Sequence, residues 1–417
     1  MLHVFSKLPL AVLLIVCLTI VTSFSDSVAA QQIKLTNGDG ETLEVEIGDE
    51  GDNDNRVPID MAILLDTSNS MDGLINQARN QLWQIVQRLS NTEKDGRKPA
   101  LRVSIFEYGN TNLPASENFI RQVLPLCDDL DKVSEVLFGL TTSGGDEYCG
   151  AVIGEAIKRL DWSDQSDAYK SIFVAGNEAF TQGQISYLST CADAKEKGII
   201  VNTIHCGDHS TGVKGMWADG AIKGGGKSFN INQDRKRVSI PCPQDKILIE
   251  LNTKLNKTYL WFGTKSNRQS YGANQLAQDR NAYKGALAQP GEDLAGQQAA
   301  APAFAGRAMS KASGLYDNRA RDLVDAAEAD EKTIESLGKE LLPEAMQEME
   351  APARKKYIAE KSAERKQIQE EIKRVSQERA EHLKKELAKR GQDKDTLGDV
   401  VTDALDAQLS ERGFKSK

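Results

Sequence analysis

An apolar run that ends abruptly on an acid constrains this chain more than any other stretch. Ile59-Asp60-Met61-Ala62-Ile63-Leu64-Leu65 is too short for a membrane span and leads at once into Asp66-Thr67-Ser68-Asn69-Ser70-Met71. Such a run reads as a strand buried on both faces, as in a parallel sheet, and it delivers Asp66, Ser68 and Ser70 to the mouth of that sheet. All three are hard oxygen donors. On a tight loop they suit an oxygen-loving divalent cation such as Mg²⁺, Ca²⁺ or Mn²⁺, with part of its coordination shell left to water or to a partner. A second reading of the loop stays open, in which its Ser and Thr side chains cap the helix that follows.

From Pro58 the pattern alternates. Leu74, Ala78, Leu82, Ile85, Val86 and Leu89 recur at helical spacing, and 100–108 reads as a second strand. The spacing then predicts an edge strand over 119–124, helices over 128–138 and 151–160, a strand over 169–175, a helix over 185–197 and a strand over 199–206. A last strand over 227–232 and a last helix over 244–260 complete the set. This β-α repetition implies an α/β fold with a doubly wound, mostly parallel sheet, and places any ligand site outside the carboxyl ends of the strands.

The flanks differ from this core. Residues 1–30 read as a signal peptide: Lys7, an apolar run from Leu8 to Val21, and small residues Val28 and Ala30 before a cut after Ala30. The expected location is periplasmic or secreted, with no stable membrane span after cleavage. Export admits disulfides, and Cys127 with Cys149 and Cys191 with Cys206 are the expected pairs, Cys242 being left over. Residues 31–57 are an acidic linker with a short strand near 43–47; its run Asp49 to Asn55 lacks the glycine and closing glutamate of a calcium loop. The 263–306 stretch, rich in Gln, Ala and Gly, reads as a linker, and 307–417 as a helical tail. Within that tail Ile368, Ile372, Val375, Leu383 and Leu387 form a narrow apolar seam that Arg379 interrupts. The seam suggests an amphipathic hairpin or weak coiled coil, docking on the globular domain or supporting self-association. A net charge of -9 argues against nucleic acid as the main partner.

Asp66-Thr67-Ser68-Asn69-Ser70 after an apolar strand, inside this alternation, resembles the Asp-x-Ser-x-Ser signature of von Willebrand factor A (vWA) domains, over roughly residues 57–262. The resemblance implies a metal-ion-dependent adhesion site in which a partner's acidic side chain completes the coordination of a divalent cation. It also implies a threonine from a glycine-rich loop, here 141–150, where Glu147 holds the position and Thr142 or Asp146 are alternatives. The family's aspartate after a later strand corresponds to Asn177, or alternatively Glu178. The loop wording Gly-Gly-Asp-Glu-Tyr-Cys-Gly and Phe-Val-Ala-Gly-Asn-Glu-Ala-Phe-Thr-Gln-Gly is similar to exported bacterial vWA proteins with long C-terminal tails.

Competing chemistry is thin. His205-Cys206-Gly207-Asp208-His209 has zinc or nucleophile residue types, but adjacent side chains on a strand point to opposite faces. Gly224-Gly225-Gly226-Lys227 resembles a phosphate loop only in composition. The expected function is therefore protein-protein interaction or assembly and not catalysis, with two alternatives: a metal-free scaffold with an oligomerisation tail, or a hydrolase or redox protein using His205, Cys206 and His209.

Overall fold

The computed structural model describes residues 32–36, 42–46, 56–232, 242–284, 304–330, 334, 337–390 and 397–416. The signal segment, the Asp49 to Asn55 run and residues 285–303 lie outside them. The chain divides into two units, Met1–Asn53 and Asp54–Lys417. In the first, β1 (Gln32–Thr36) pairs antiparallel with β2 (Thr42–Glu46), in a register that sets Ile33 opposite Val45 and Leu35 opposite Leu43.

In the second unit β3 (Val57–Asp66) is the central strand, its residues buried throughout except the half-buried Pro58. The acid in mid-strand, Asp60, is compensated: Arg102 donates to both its oxygens at 2.8 Å and the Ser163 amide at 2.7 Å. After it come α1 (Asp72–Ser90), β4 (Thr92–Lys94), β5 (Pro99–Tyr108), β6 (Ile120–Cys127), α2 (Leu130–Gly139) and α3 (Cys149–Arg159). Then follow β7 (Tyr169–Gly176), α4 (Tyr187–Glu196), β8 (Ile199–Cys206), α5 (His209–Lys214), α6 (Trp217–Lys223), β9 (Gly225–Ile231) and α7 (Pro243–Asn256). The strand order is β6-β5-β3-β7-β8-β9, parallel except for the antiparallel edge strand β6. One face is covered by α1, α2 and α7, and the other by α3, α4 and α6. The mouth of the sheet lies at the carboxyl end of β3.

Beyond α7 the chain departs from the expectation of a linker. Lys265–Lys284 is a helix, α8, which buries Gln275, Gln278 and Asp279 in place of an apolar stripe. The helical tail expected from 307 is interrupted at its start: 304–311 is helical, a turn carries Gly314, α9 (Leu323–Ala329) is capped by Asp322, and a single 3-10 turn, Lys339–Leu341, follows Gly338. A forty-residue helix, α10 (Ala351–Arg390), follows, then α11 (Leu397–Glu411) and β10 (Phe414–Ser416), which pairs with β4. Ile368, Ile372 and Val375 of the seam are buried in the same core as β3 and α7, so the helix docks on its own domain. Arg379, the residue that breaks the heptad, donates to Asp245 of α7 at 2.7 Å. No helix among the described residues is long and apolar enough to cross a membrane.

The expected disulfides are absent: Cys127, Cys149, Cys191, Cys206 and Cys242 are all free. Both guessed pairs straddle the sheet. Cys149 and Cys191 pack on the α3 and α4 face, Cys206 and Cys127 on the opposite one.

Candidate functional site

β3 carries Asp66 to the rim, where the chain turns sharply. Asp66 Oδ1 accepts the Ser68 amide at 2.7 Å, and Ser68 Oγ lies 3.3 Å from Ser70 Oγ. Neither Ser68 nor Met71 makes a side-chain capping bond to the following helix, so the hydroxyls face each other and the capping alternative is not realised. Asn177, just past β7, donates from Nδ2 to Ser70 Oγ at 3.1 Å. Glu147 comes from the loop before α3 and its carboxyl lies beside Asp66, both leaning over Gly109. Asp66, Ser68 and Glu147 are buried, whereas Ser70 is exposed at the lip.

Three buried oxygens here have no hydrogen-bond partner: Asp66 Oδ2, Glu147 Oε2 and Asn177 Oδ1. With both carboxyls ionised and no cation bound, each such orphan costs about 1–3 kcal/mol, and a proton shared between Asp66 and Glu147 relieves that pair. A donor set of two carboxylates, an amide carbonyl and two hydroxyls fits a hard divalent cation, and the two carboxylate charges would match its double charge. The alternative ligands are engaged elsewhere. Thr142 Oγ1 donates to Asp72, Asp146 is exposed and accepts the Tyr148 hydroxyl at 3.0 Å, and the exposed Glu178 touches the fold through its carbonyl, which accepts Trp217 Nε1 at 2.8 Å.

Tyr108 and Asn110 of the site were not singled out in the sequence, and His205 was singled out only for a different chemistry. Tyr108 donates to the Ala175 carbonyl at 2.9 Å and ties β5 to β7 beneath Asp66. Asn110 Nδ2 donates to the Thr141 carbonyl at 2.8 Å, and the Ser143 amide to the Thr67 carbonyl at 2.9 Å, which closes the 141–147 loop onto the rim. His205 lies behind Asn177: its Nε2 is 3.2 Å from the Asn177 carbonyl and its Nδ1 is 2.8 Å from Asn230 Oδ1. The only signal was position, since each follows or ends a predicted strand. The His205-Cys206-His209 group is dispersed: His205 is engaged, Cys206 is buried on the other face with its thiol pushed well up by burial, and His209 is exposed at the start of α5. No cluster of three or more His, Cys, Asp or Glu suited to a metal is found among the described residues.

Burial, and then the neighbouring Asp66, push the Glu147 carboxyl up to about 9, and burial raises Asp66 as well. The pair holds a proton in the fold that the unfolded chain releases above 4.5. The metal-free fold therefore has this stabilisation at low pH and loses it as pH rises from 4.5 through about 9. Glu147→Gln should flatten the slope: in chelator the variant and the parent melt alike near the acid end, and the variant melts higher near the alkaline end. Parallel melting curves across that window would show that the two carboxyls do not interact.

Residues 60–214 match the von Willebrand factor type A domain. No curated protein matches the chain. Among solved structures, proximal thread matrix protein 1 from the mussel byssus is 16% identical with a TM-score of 0.32, over 43% of this chain and 43% of its own. A form of the same protein with a zinc-occupied MIDAS motif gives the same identity, coverage and TM-score. The conserved hypothetical protein BatB from Bacteroides thetaiotaomicron is 15% identical with a TM-score of 0.32, over 54% of this chain and 99% of its own. This chain thus spans less than half the length of the mussel protein.

Proposed function

With residues 60–214 forming a von Willebrand factor type A domain, we propose that the rim at the carboxyl end of β3 captures a protein partner through a divalent cation. Asp66, Ser68 and Ser70 would hold the ion from β3 and its loop, with Glu147 and Asn177 closing the cup from the two flanking loops. The observation that carries the reading is the convergence of three unpartnered buried oxygens, Asp66 Oδ2, Glu147 Oε2 and Asn177 Oδ1. When bound, the cation supplies a fixed double charge that an acidic side chain of a partner can meet in a partly desolvated setting. The protein's own part is positioning. Asn177 is steadied by Ser70 and, through its carbonyl, by His205, while Tyr108 and Asn110 clamp the strands and loops on which the donors sit. Export through the N-terminal segment would place this rim where extracytoplasmic partners meet it.

Calorimetric titration of the full chain with Mg²⁺, Ca²⁺ and Mn²⁺, beside Asp66→Ala, tests the reading. The expected result is saturable one-site binding in the parent and none in the variant, with folding retained. A folded parent that takes up none of the three ions would overturn the cation-bridged mechanism and favour the metal-free scaffold, in which the helical tail carries assembly.

A further inference from the structure

Away from the rim, a second cleft opens between α2, α8 and the turn at 318–321. Its volume is about 180 Å³, less than the ~300–1,000 Å³ of sites for drug-sized ligands. Two aromatic rings form its corner. Trp261 and Tyr271 meet with centroids 6.1 Å apart and planes inclined by 55°. Tyr259 stacks on Trp261 within 10° of parallel at 5.1 Å, which fixes the indole as a platform.

The charges lining the cleft are already matched. Arg321 pairs with Asp129, Lys132 with Glu135 at 3.0 Å, and Asp131 accepts Arg307 and the Tyr316 hydroxyl at 2.7 Å each. No charge is left over to select an ion. What remains is Asn318, 4% exposed, whose Nδ2 has no hydrogen-bond partner. Its backbone is fully used: the carbonyl accepts the Arg321 and Asp322 amides at 2.7 and 2.8 Å, and the N–H donates to Asp325 Oδ2 at 3.0 Å. The turn is thus held without the side-chain amide of Asn318, which lines the cleft with its buried Nδ2 unpartnered.

We propose that this cleft binds one neutral sugar ring. A pyranose has apolar C–H faces for the indole platform and hydroxyl acceptors for the Asn318 amide, it carries no charge, and its size matches a small cleft with one aromatic corner and a few fixed polar groups.

Free D-glucose, D-galactose and N-acetyl-D-glucosamine, and their β-methyl glycosides, are titrated into the full chain and followed by tryptophan fluorescence and calorimetry. At least one sugar is expected to bind saturably at millimolar concentration; equal binding of its methyl glycoside indicates a glycan end, and loss of binding a free reducing sugar. Trp261→Ala and Asn318→Ala should each weaken it by at least about tenfold, or ~1.4 kcal/mol, and Asp66→Ala should bind as the parent does. Asn318→Ala should melt no lower than the parent, because it removes no made side-chain hydrogen bond. Absence of binding by any of the sugars, binding that survives both cleft variants, or a clear loss of melting temperature in Asn318→Ala would overturn the proposal.

Discussion

Asp279→Ala is expected to cost about 3–5 kcal/mol, the usual penalty for removing one partner of a buried ion pair, read as a lower urea midpoint for the full chain. Asp279 on α8 is the acceptor on which three elements converge. Asn252 and Asn256 of α7 each donate to its Oδ2 at 2.8 Å, Arg307 donates to Oδ1, and Lys311 lies 3.5 Å away. Arg307 and Lys311 are completely buried. Their attraction, with the asparagine bonds, overcomes the burial of Asp279 and holds its carboxyl well below the usual range. Without it, Lys311 has no anion in contact and the two asparagines lose their acceptor.

Lys311→Met supplies the contrast. Burial outweighs the pull of Asp279 and lowers the Lys311 ammonium to about 8. Between about 8 and 10.5 the folded chain therefore binds fewer protons than the unfolded one, so stability rises with pH across that window. Lys311→Met should lose that slope and cost less than Asp279→Ala, since it removes a cation that burial already disfavours and leaves Arg307 in contact with Asp279, although that guanidinium then serves Asp131 as well. A large loss in Lys311→Met, or a small one in Asp279→Ala, would mean that the cluster is not held by its carboxylate.

These residues also show why part of the chain was hidden from sequence reasoning. The β-α alternation was readable because β3 and α1 bury apolar side chains with a definite period, and the Asp66 loop was readable because three oxygen donors follow that strand directly. Helix α8 obeys neither signal. Its inward residues are Gln275, Gln278 and Asp279, so it pays for burial with hydrogen bonds and ion pairs, and the sequence looks like a linker. Arg379 misled in the same way: it breaks a heptad because it meets Asp245, not another helix of its own kind. The disulfide guesses failed because proximity along the chain says nothing about which face of the sheet a side chain takes. Glu147 was legible through the loop it occupies, but the glycines that make room for it were not.

Gly109→Ala should strike the rim through that room. Gly109 has φ +77, and a Cβ there would lie 2.7 Å from Glu147 Cγ and 3.0 Å from Asp66 Oδ1. Its carbonyl is approached in turn by Gly145, whose own Cβ would come within 2.5 Å of that oxygen. The 109 and 145 backbones thus meet face to face, and the acid pair fills the space left. An alanine at 109 incurs left-handed strain of about 1–2 kcal/mol and must also push Glu147 out of the cup. The expected result is a cation affinity lowered by more than about tenfold, over ~1.4 kcal/mol, together with a lower melting temperature. Gly96→Ala isolates the second effect: Gly96 has the same φ of +77, with nothing within 4 Å of its Cβ. It should suffer the strain alone and bind cations like the parent. If the two variants lose equal stability and both keep full cation affinity, Glu147 is not confined against Asp66 as a ligand, and the cup must be rebuilt from Asp66, Ser68, Ser70 and Asn177 alone.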